Sequence, residues 1–265
     1  MADLCSELID KAELTVSDIS GIGIGSPGTI DNKNGVVVYA NNLGWYDVPL
    51  AAELNKYINV PVNIENDANA AAYGEFVECG GDVDSFVAIT LGTGVGGGVI
   101  IDRKIYRGFN GAGGELGHTV LIHGGEPCTC GNDGCWESYA SVTALIRQTK
   151  AAIAAHPESI MAKDEKVSGR TAFNAAKAGD KAGQEVVDKY IEYVASGITN
   201  IINIFQPNIL VIGGGISKEG DYLLNPIKEY AKKHSYCKAV AQTDIRIASL
   251  MNDAGIIGAA LACEQ

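Results

Sequence analysis

The feature that most constrains this chain is a run of three cysteines, Cys128, Cys130 and Cys135, spaced C-x-C-x4-C and interleaved with Gly131 and Gly134. Glycines so placed rule out a regular strand or helix, since glycine serves where the backbone must turn sharply. The segment has to fold as a tight knuckle whose sulfurs converge. One imidazole added to three thiolates makes a Cys3His set, the closed tetrahedral arrangement of a structural zinc site. His118 is the expected fourth ligand, with His123 as the alternative. Buried free thiols or a loop disulfide are the other readings of the same cysteines. Two acids bracket the segment, Glu115 before His118 and Glu137 after Cys135. A metal here would fix both, and they could then face one small polar ligand from either side.

The 265 residues suffice for two modest domains or one large one. With 20 basic against 32 acidic residues the net charge is -12, which excludes nucleic acid or an anionic membrane as a partner held by bulk electrostatics. A phosphate must therefore be gripped locally, by backbone N–H groups or a metal. No apolar run reaches membrane-spanning length, and residues 1–15 lack the basic start and apolar stretch of a signal peptide. Cys5, Cys79, Cys237 and Cys263 lie scattered, as in a reduced cytoplasmic protein.

Along the chain, residues 2–13 carry Leu4, Leu8 and Ile9 at helical spacing. Residues 19–26 read as a strand ended by a Pro27-Gly28 turn. A hairpin turn over 31–35 leads to a returning strand at 36–39. Asn41-Asn42-Leu43-Gly44-Trp45 is a polar loop whose amides could both donate to and accept from sugar hydroxyls. Residues 60–65 form a strand running into Asn66-Asp67 and a helix. Asp67 there is either the helix N-cap or a catalytic base. A strand over 84–91 meets a glycine turn, residues 92–98, and a second strand from 99 to 102. Strand–turn–strand is neither a P-loop nor a dinucleotide fingerprint, because no helix follows the glycines. Its N–H groups can still approach a phosphate without side-chain interference. Helices follow over 141–155, 169–178 and 181–205. An apolar strand at 208–212 then delivers Gly213-Gly214-Gly215, a place where α/β sheets commonly bind ligands. A last strand at 245–248 and a helix at 254–263 complete the chain.

These motifs together resemble the ROK family of repressors and sugar kinases, and within it the bacterial glucokinases. The resemblance runs from about residue 14 to the C-terminus. It rests on GIGIGSPGTID, NNLGW, ENDANAAAYGE, LGTGVGGGVI, GGELGH, CTCGNDGCWE and VIGGGIS. It implies an α/β protein of the actin-like ATPase (ribonuclease H-like) fold, with two domains around a cleft. The smaller would comprise 1–84 plus 252–265 and the larger 85–251, with the zinc knuckle in the larger. It implies ATP-dependent phosphorylation of glucose at its 6-hydroxyl, with Asp67 as the general base. Asn66, Glu115, His118 and Glu137 would contact the sugar, and Asn42 and Gly28 would be lesser contacts. Gly92, Thr93 and Gly94 would approach the ATP phosphates, and Gly213, Gly214 and Gly215 the adenosine. His118, Cys128, Cys130 and Cys135 would hold structural Zn2+, while Mg2+ accompanies ATP. The expected partners are the sugar and ATP, with a homodimer or homotetramer as the assembly.

The family opens with a strand, a D-x-G-G-T turn and two more strands that grip the β- and γ-phosphates. No such turn occurs in these 265 residues. The expectation is a first domain short of its opening strands, an impaired kinase, and a bared 19–26 edge able to self-associate. Alternative functions are an N-acetylmannosamine kinase, a fructokinase, a non-catalytic sugar-binding protein, or a repressor. The repressors carry a helix-turn-helix domain that these residues do not contain.

Overall fold

The computed structural model describes residues 1–79 and 82–264, and the chain divides into two compact units. The first comprises Met1–Phe86, Gly98–Gly114 and Ser249–Gln265, the second Val87–Gly97 and Glu115–Ala248.

The first unit begins with α1 (Ala2–Lys11), β1 (Ile22–Ser26), β2 (Thr29–Asp31), β3 (Val36–Ala40) and β4 (Trp45–Val48). Then come α2 (Leu50–Asn55), β5 (Val62–Asn66) and α3 (Asp67–Glu78). The strand expected from residue 19 starts three residues later. Val16–Asp18 is a 3-10 turn, in which the Asp18 carboxylate accepts from both the N–H and the hydroxyl of Thr15. β1 pairs in parallel with β5, from Ile22 opposite Val62 to Ser26 opposite Asn66. β2, β3 and β4 form a separate antiparallel sheet. Alternation along the strands turns Ile24, Ile30, Val37 and Ile64 into one core with Ala40, Leu50 and Leu54.

β6 (Ser85–Leu91) and β7 (Val95–Ile101) each have residues in both units, and β8 (Lys104–Ile105) pairs antiparallel with β7. The glycine turn is shorter than the sequence suggested: only Gly92–Gly94 turn, and Gly96–Gly98 are inside β7. These glycines admit close neighbours. A Cβ on Gly97 would lie 2.7 Å from Leu116 Cδ1, and one on Gly98 2.4 Å from the Ala72 Cβ.

The second unit continues with α4 (Glu137–Ala140), α5 (Val142–Ala155), α6 (Thr171–Lys177) and α7 (Lys181–Phe205). β9 (Ile209–Gly213), α8 (Asp221–His234) and β10 (Asp244–Ile247) follow. The sheet order is β10–β9–β6–β7–β8, with β10 parallel to β9. Every residue of β9 is buried, as its unbroken apolar run demands of a strand covered on both faces. In α7 the buried Val187, Tyr190, Ile191, Val194, Ile198, Ile201 and Ile202 recur at helical spacing. Asp180 caps its N-terminus by accepting from the Gly183 N–H, and Gln206 ends it at φ 45°.

The last helix, α9 (Ala254–Leu261), packs on α3 within the first unit. A Cβ on Gly258 would lie 1.7 Å from the Ala70 carbonyl oxygen, so that crossing requires glycine. Glu75 of α3 is 3% exposed. Its carboxylate accepts from the Ser249 N–H (2.9 Å), the Ser249 hydroxyl (3.1 Å) and the Leu250 N–H (2.8 Å). Among the described residues no helix is long and apolar enough to cross a membrane.

Candidate functional site

In the second unit the knuckle is drawn closed by its own backbone. The Cys128 N–H donates to the Asn132 carbonyl (2.8 Å) and the Gly131 N–H to the Cys128 carbonyl (3.0 Å). Gly131 and Gly134 take φ of 93° and 80°, and a Cβ on Gly134 would meet the Ile122 carbonyl oxygen at 1.7 Å. The ligand atoms of His118, Cys128, Cys130 and Cys135 lie within 4.8 Å of one another. Cys128 Sγ is 3.6 Å from His118 Nδ1, and Cys130 Sγ is 3.6 Å from Cys135 Sγ. A disulfide needs about 2.05 Å between sulfurs, so that alternative fails. Tetrahedral zinc bonds of about 2.3 Å to sulfur and 2.0–2.1 Å to nitrogen put neighbouring ligand atoms roughly 3.5–3.8 Å apart. The donor set therefore fits a structural zinc ion, with His118 rather than the exposed His123 in the cluster.

The thiols respond to this crowding in opposite ways. Burial pushes Cys128 up, but hydrogen bonds with Cys130, His118 and Cys135 outweigh it and bring the thiol down to about 7. Burial and the neighbouring Cys130 and Cys128 push Cys135 up to about 12. A cation among the sulfurs removes that conflict, because zinc binds the thiolate form.

Glu137 opens α4 directly after the knuckle, and its Oε2 accepts from the Val95 N–H at 2.8 Å. A Cβ on Gly94 would lie 2.2 Å from that oxygen. The Gly92–Gly94 turn is held further by the Val142 N–H on the Gly92 carbonyl (2.8 Å) and the Thr143 hydroxyl on the Thr93 carbonyl (2.7 Å). A Cβ on Gly92 would meet nothing within 4 Å, so one side of the turn is open. Glu115 precedes a 3-10 turn over Leu116–His118, and its exposed carboxylate has no hydrogen bond or ion pair among the described residues. Gly213 ends β9. Gly214, at φ 90°, leaves no room for a side chain beside the Leu91 carbonyl, while Gly215 faces open space.

In the first unit the β5–α3 junction carries Asn66 and Asp67. Of the two, Asn66 is the N-cap: its Oδ1 accepts from the N–H groups of Ala68 (3.0 Å) and Asn69 (3.1 Å). Its Nδ2 donates to the Gly28 carbonyl at 3.1 Å, holding the Pro27-Gly28 turn. Asp67 is the first residue inside the helix and is exposed. Among the described residues only its Oδ1 is engaged, by the Ala68 N–H at 2.9 Å. A Cβ on Gly28 would meet the Tyr39 carbonyl oxygen at 2.0 Å, so that glycine is a packing requirement of the turn. Asn42 is exposed in a 3-10 turn over Asn41–Leu43.

Sequence reading missed the residue that steadies this junction. Glu65 is 2% exposed, and its Oε2 accepts from Arg107 Nε (2.7 Å) and Nη2 (2.6 Å). Its Oε1 accepts from the Asn66 N–H (3.0 Å) and Asn69 Nδ2 (3.2 Å). The signal in the sequence was an acid inside β5, next to the apolar Ile64 and directly before Asn66.

Three comparisons place this chain. The family model described as ROK family matches residues 1–265. A glucokinase of Halalkalibacterium halodurans is 41% identical over 264 residues, spanning 97% of this chain and 80% of the relative. A xylose repressor of Caldicellulosiruptor bescii is 35% identical, over 97% of this chain and 65% of its own length. Among solved structures, a ROK family glucokinase from Streptomyces griseus, in complex with glucose and AMPPNP, superposes with a TM-score of 0.82 at 32% identity. That match covers all of this chain and 87% of the other. The fold is thus the actin-like ATPase fold of the ROK sugar kinases. A match along the whole chain, a Cys3His knuckle and relatives among both kinases and repressors lead to one conclusion: this chain belongs to the ROK family.

Proposed function

We propose that the chain is an ATP-dependent hexose kinase that phosphorylates glucose at its 6-hydroxyl. The observation that carries this reading is the division of labour at the β5–α3 junction. Asn66 caps the helix, so Asp67 keeps an uncommitted carboxylate oxygen for a substrate proton. The similarity to glucokinases, whose lengths the matches cover to 80% and 87%, supports the choice of reaction.

In this reading Asp67 accepts the 6-hydroxyl proton as the sugar oxygen bonds to the γ-phosphorus of ATP. The bond from that phosphorus to the bridging oxygen breaks, and sugar 6-phosphate and ADP leave. Positioning and charge neutralisation do most of the work in such a transfer, and Mg2+ enters with ATP. Asn66, Glu115, His118 and Glu137 hold sugar hydroxyls, with Asn42 and Gly28 as lesser contacts. A site built on such hydrogen bonds rejects a wrong epimer, since a misfit leaves buried polar groups unpaired. Gly92, Thr93 and Gly94 receive the phosphates on the open side of their turn, and Gly213–Gly215 the adenosine. Zinc held by His118, Cys128, Cys130 and Cys135 would supply rigidity to the knuckle, with no open position to take part in the transfer. Residues 1–84 with 252–265, and 85–251, are the two domains of this reading.

The test is sugar-dependent ADP release from Mg-ATP across glucose, mannose, fructose and N-acetylmannosamine. Glucose as the preferred substrate is the expected result. Preference for another sugar moves the assignment within the kinases. Sugar binding without turnover favours the second reading, a sugar-responsive regulator, which the similarity to a xylose repressor supports.

A further inference from the structure

A chain of net charge -12 has few places that favour an anion, and one cavity of the first unit is such a place. Its volume is about 490 Å³, and it lies at the turn between β7 and β8. Ile101 pairs with Lys104, so Asp102 and Arg103 are the two central residues of the hairpin, at φ 51° and 64°. Two left-handed central residues make the hairpin turn that matches strand twist. The Arg103 N–H fastens the turn to the Asp84 carbonyl at 3.0 Å.

Three cations line the cavity: Arg103, Lys104 and Arg107. Arg107 is neutralised by the buried Glu65. Arg103 and Lys104 have no side-chain hydrogen bond or ion pair among the described residues, and Asp102 is the single acid in the lining. The other polar lining is a chain of amides. Asn32 Nδ2 donates to Asn63 Oδ1 (2.9 Å) and the Ile64 carbonyl (2.6 Å), and Asn63 Nδ2 to the Ala262 carbonyl (2.9 Å). Asn32 Oδ1 accepts no hydrogen bond from a described residue. Adjacent unpaired cations beside an unfilled carbonyl acceptor suit a ligand that carries both an anion and a hydroxyl.

We propose that this cavity is a second small-molecule site that binds a hydroxylated phosphate ester, with the phosphate on Arg103 and Lys104 and a hydroxyl donating to Asn32. None of its residues carries a sugar, nucleotide or zinc role above, and the proposal stands whether or not the chain is a kinase.

The experiment titrates the 15N-labelled full chain with glucose 6-phosphate, inorganic phosphate and glucose separately, following the amides of residues 101–107 and the Asn32 side chain. The ester should give saturable shifts at these amides, weakened by added salt. Inorganic phosphate should bind more weakly and glucose should leave these amides unmoved. In the double variant R103N/K104Q, the ester affinity read at the hairpin should fall about tenfold or more, as loss of charge-assisted hydrogen bonds implies. Asparagine tolerates the positive φ and both positions are exposed, so an unchanged circular dichroism spectrum is expected to accompany that loss. Absence of saturable hairpin shifts, or undiminished affinity in the double variant, overturns the site. Equal affinity for inorganic phosphate and ester overturns the hydroxyl contact.

Discussion

Gly197 lies on the face of α7 that meets Trp136, and replacing it by alanine tests how the knuckle is supported. A Cβ there would stand 2.0 Å from Trp136 Cε2 and 2.4 Å from both Cδ2 and Nε1. Carbon contacts settle near 3.5–4.0 Å, so the indole would have to retreat by roughly 1.5 Å. It has little room to do so, being 1% exposed, with Nε1 donating to the Tyr193 carbonyl at 2.8 Å. Overpacking of this kind costs about 1–3 kcal/mol. A stretched indole bond leaves a buried carbonyl unsatisfied, for about 1–3 kcal/mol more. Alanine returns about 1 kcal/mol through its better helix propensity. The net expectation is a loss of about 3 kcal/mol in the second unit. Trp136 stands between Cys135, a zinc ligand by geometry, and Glu137, which holds the Val95 N–H. Zinc should therefore be lost to a chelator faster in the variant. The assay is urea unfolding followed by Trp136 fluorescence in a Trp45→Phe background, which removes the other tryptophan, with zinc release measured in parallel. Stability within about 0.5 kcal/mol of the parent, the range of an ordinary surface substitution, would refute the packing argument.

Three further outcomes follow from the same structure. Glu65→Gln strands Arg107, and because that guanidinium is 26% exposed the cost should be about 2–4 kcal/mol, below the full penalty for a buried pair; Glu65→Gln/Arg107→Met should recover part of it in a double-mutant cycle, and a simple sum of the single effects would argue against coupling. Asp67→Asn should lower kcat about 10²–10⁴-fold, as loss of a general base does, with melting temperature unchanged because Asn66 holds the cap; a large drop in melting temperature would make Asp67 structural. Asp180 is held below the usual carboxylate range, first by the Gly183 N–H, then by the Ile160 N–H and the Ser159 hydroxyl. Its depressed folded value gives stability that is present above the unfolded value near 3.8 and is lost as pH falls through the folded one. The stability gap between the parent and Asp180→Asn should then shrink below pH 4, and a pH-independent gap would contradict the assignment.

Much of this protein was determined locally and could be read without the fold. The knuckle is one such part: closely spaced thiols and two glycines define a turn whose sulfurs must converge, whatever surrounds it. Helix α7 is another, since its buried positions follow the helical period from Lys181 to Phe205 and set its bounds as read from the sequence. The wholly apolar β9 and the turn at Gly213–Gly215 belong with them.

Tertiary contact decided the rest, because it pairs groups that sequence spacing leaves unrelated. Asn and Asp both make good N-caps; Asn66, whose Nδ2 reaches the Gly28 carbonyl 38 positions away, takes the cap, and Asp67 accepts only from the Ala68 N–H through Oδ1 among the described residues. Gly96–Gly98 looked like loop, yet lie in β7, where Leu116 crowds Gly97 and the Ala72 Cβ crowds Gly98. Arg107 and Glu65 meet across 42 residues, as do Val95 and Glu137, and Ser249 and Glu75 across 174. A buried carboxylate needs its donors wherever the chain brings them. Local pattern names the turns and periodic elements; only the packed fold shows which donors reach which acids.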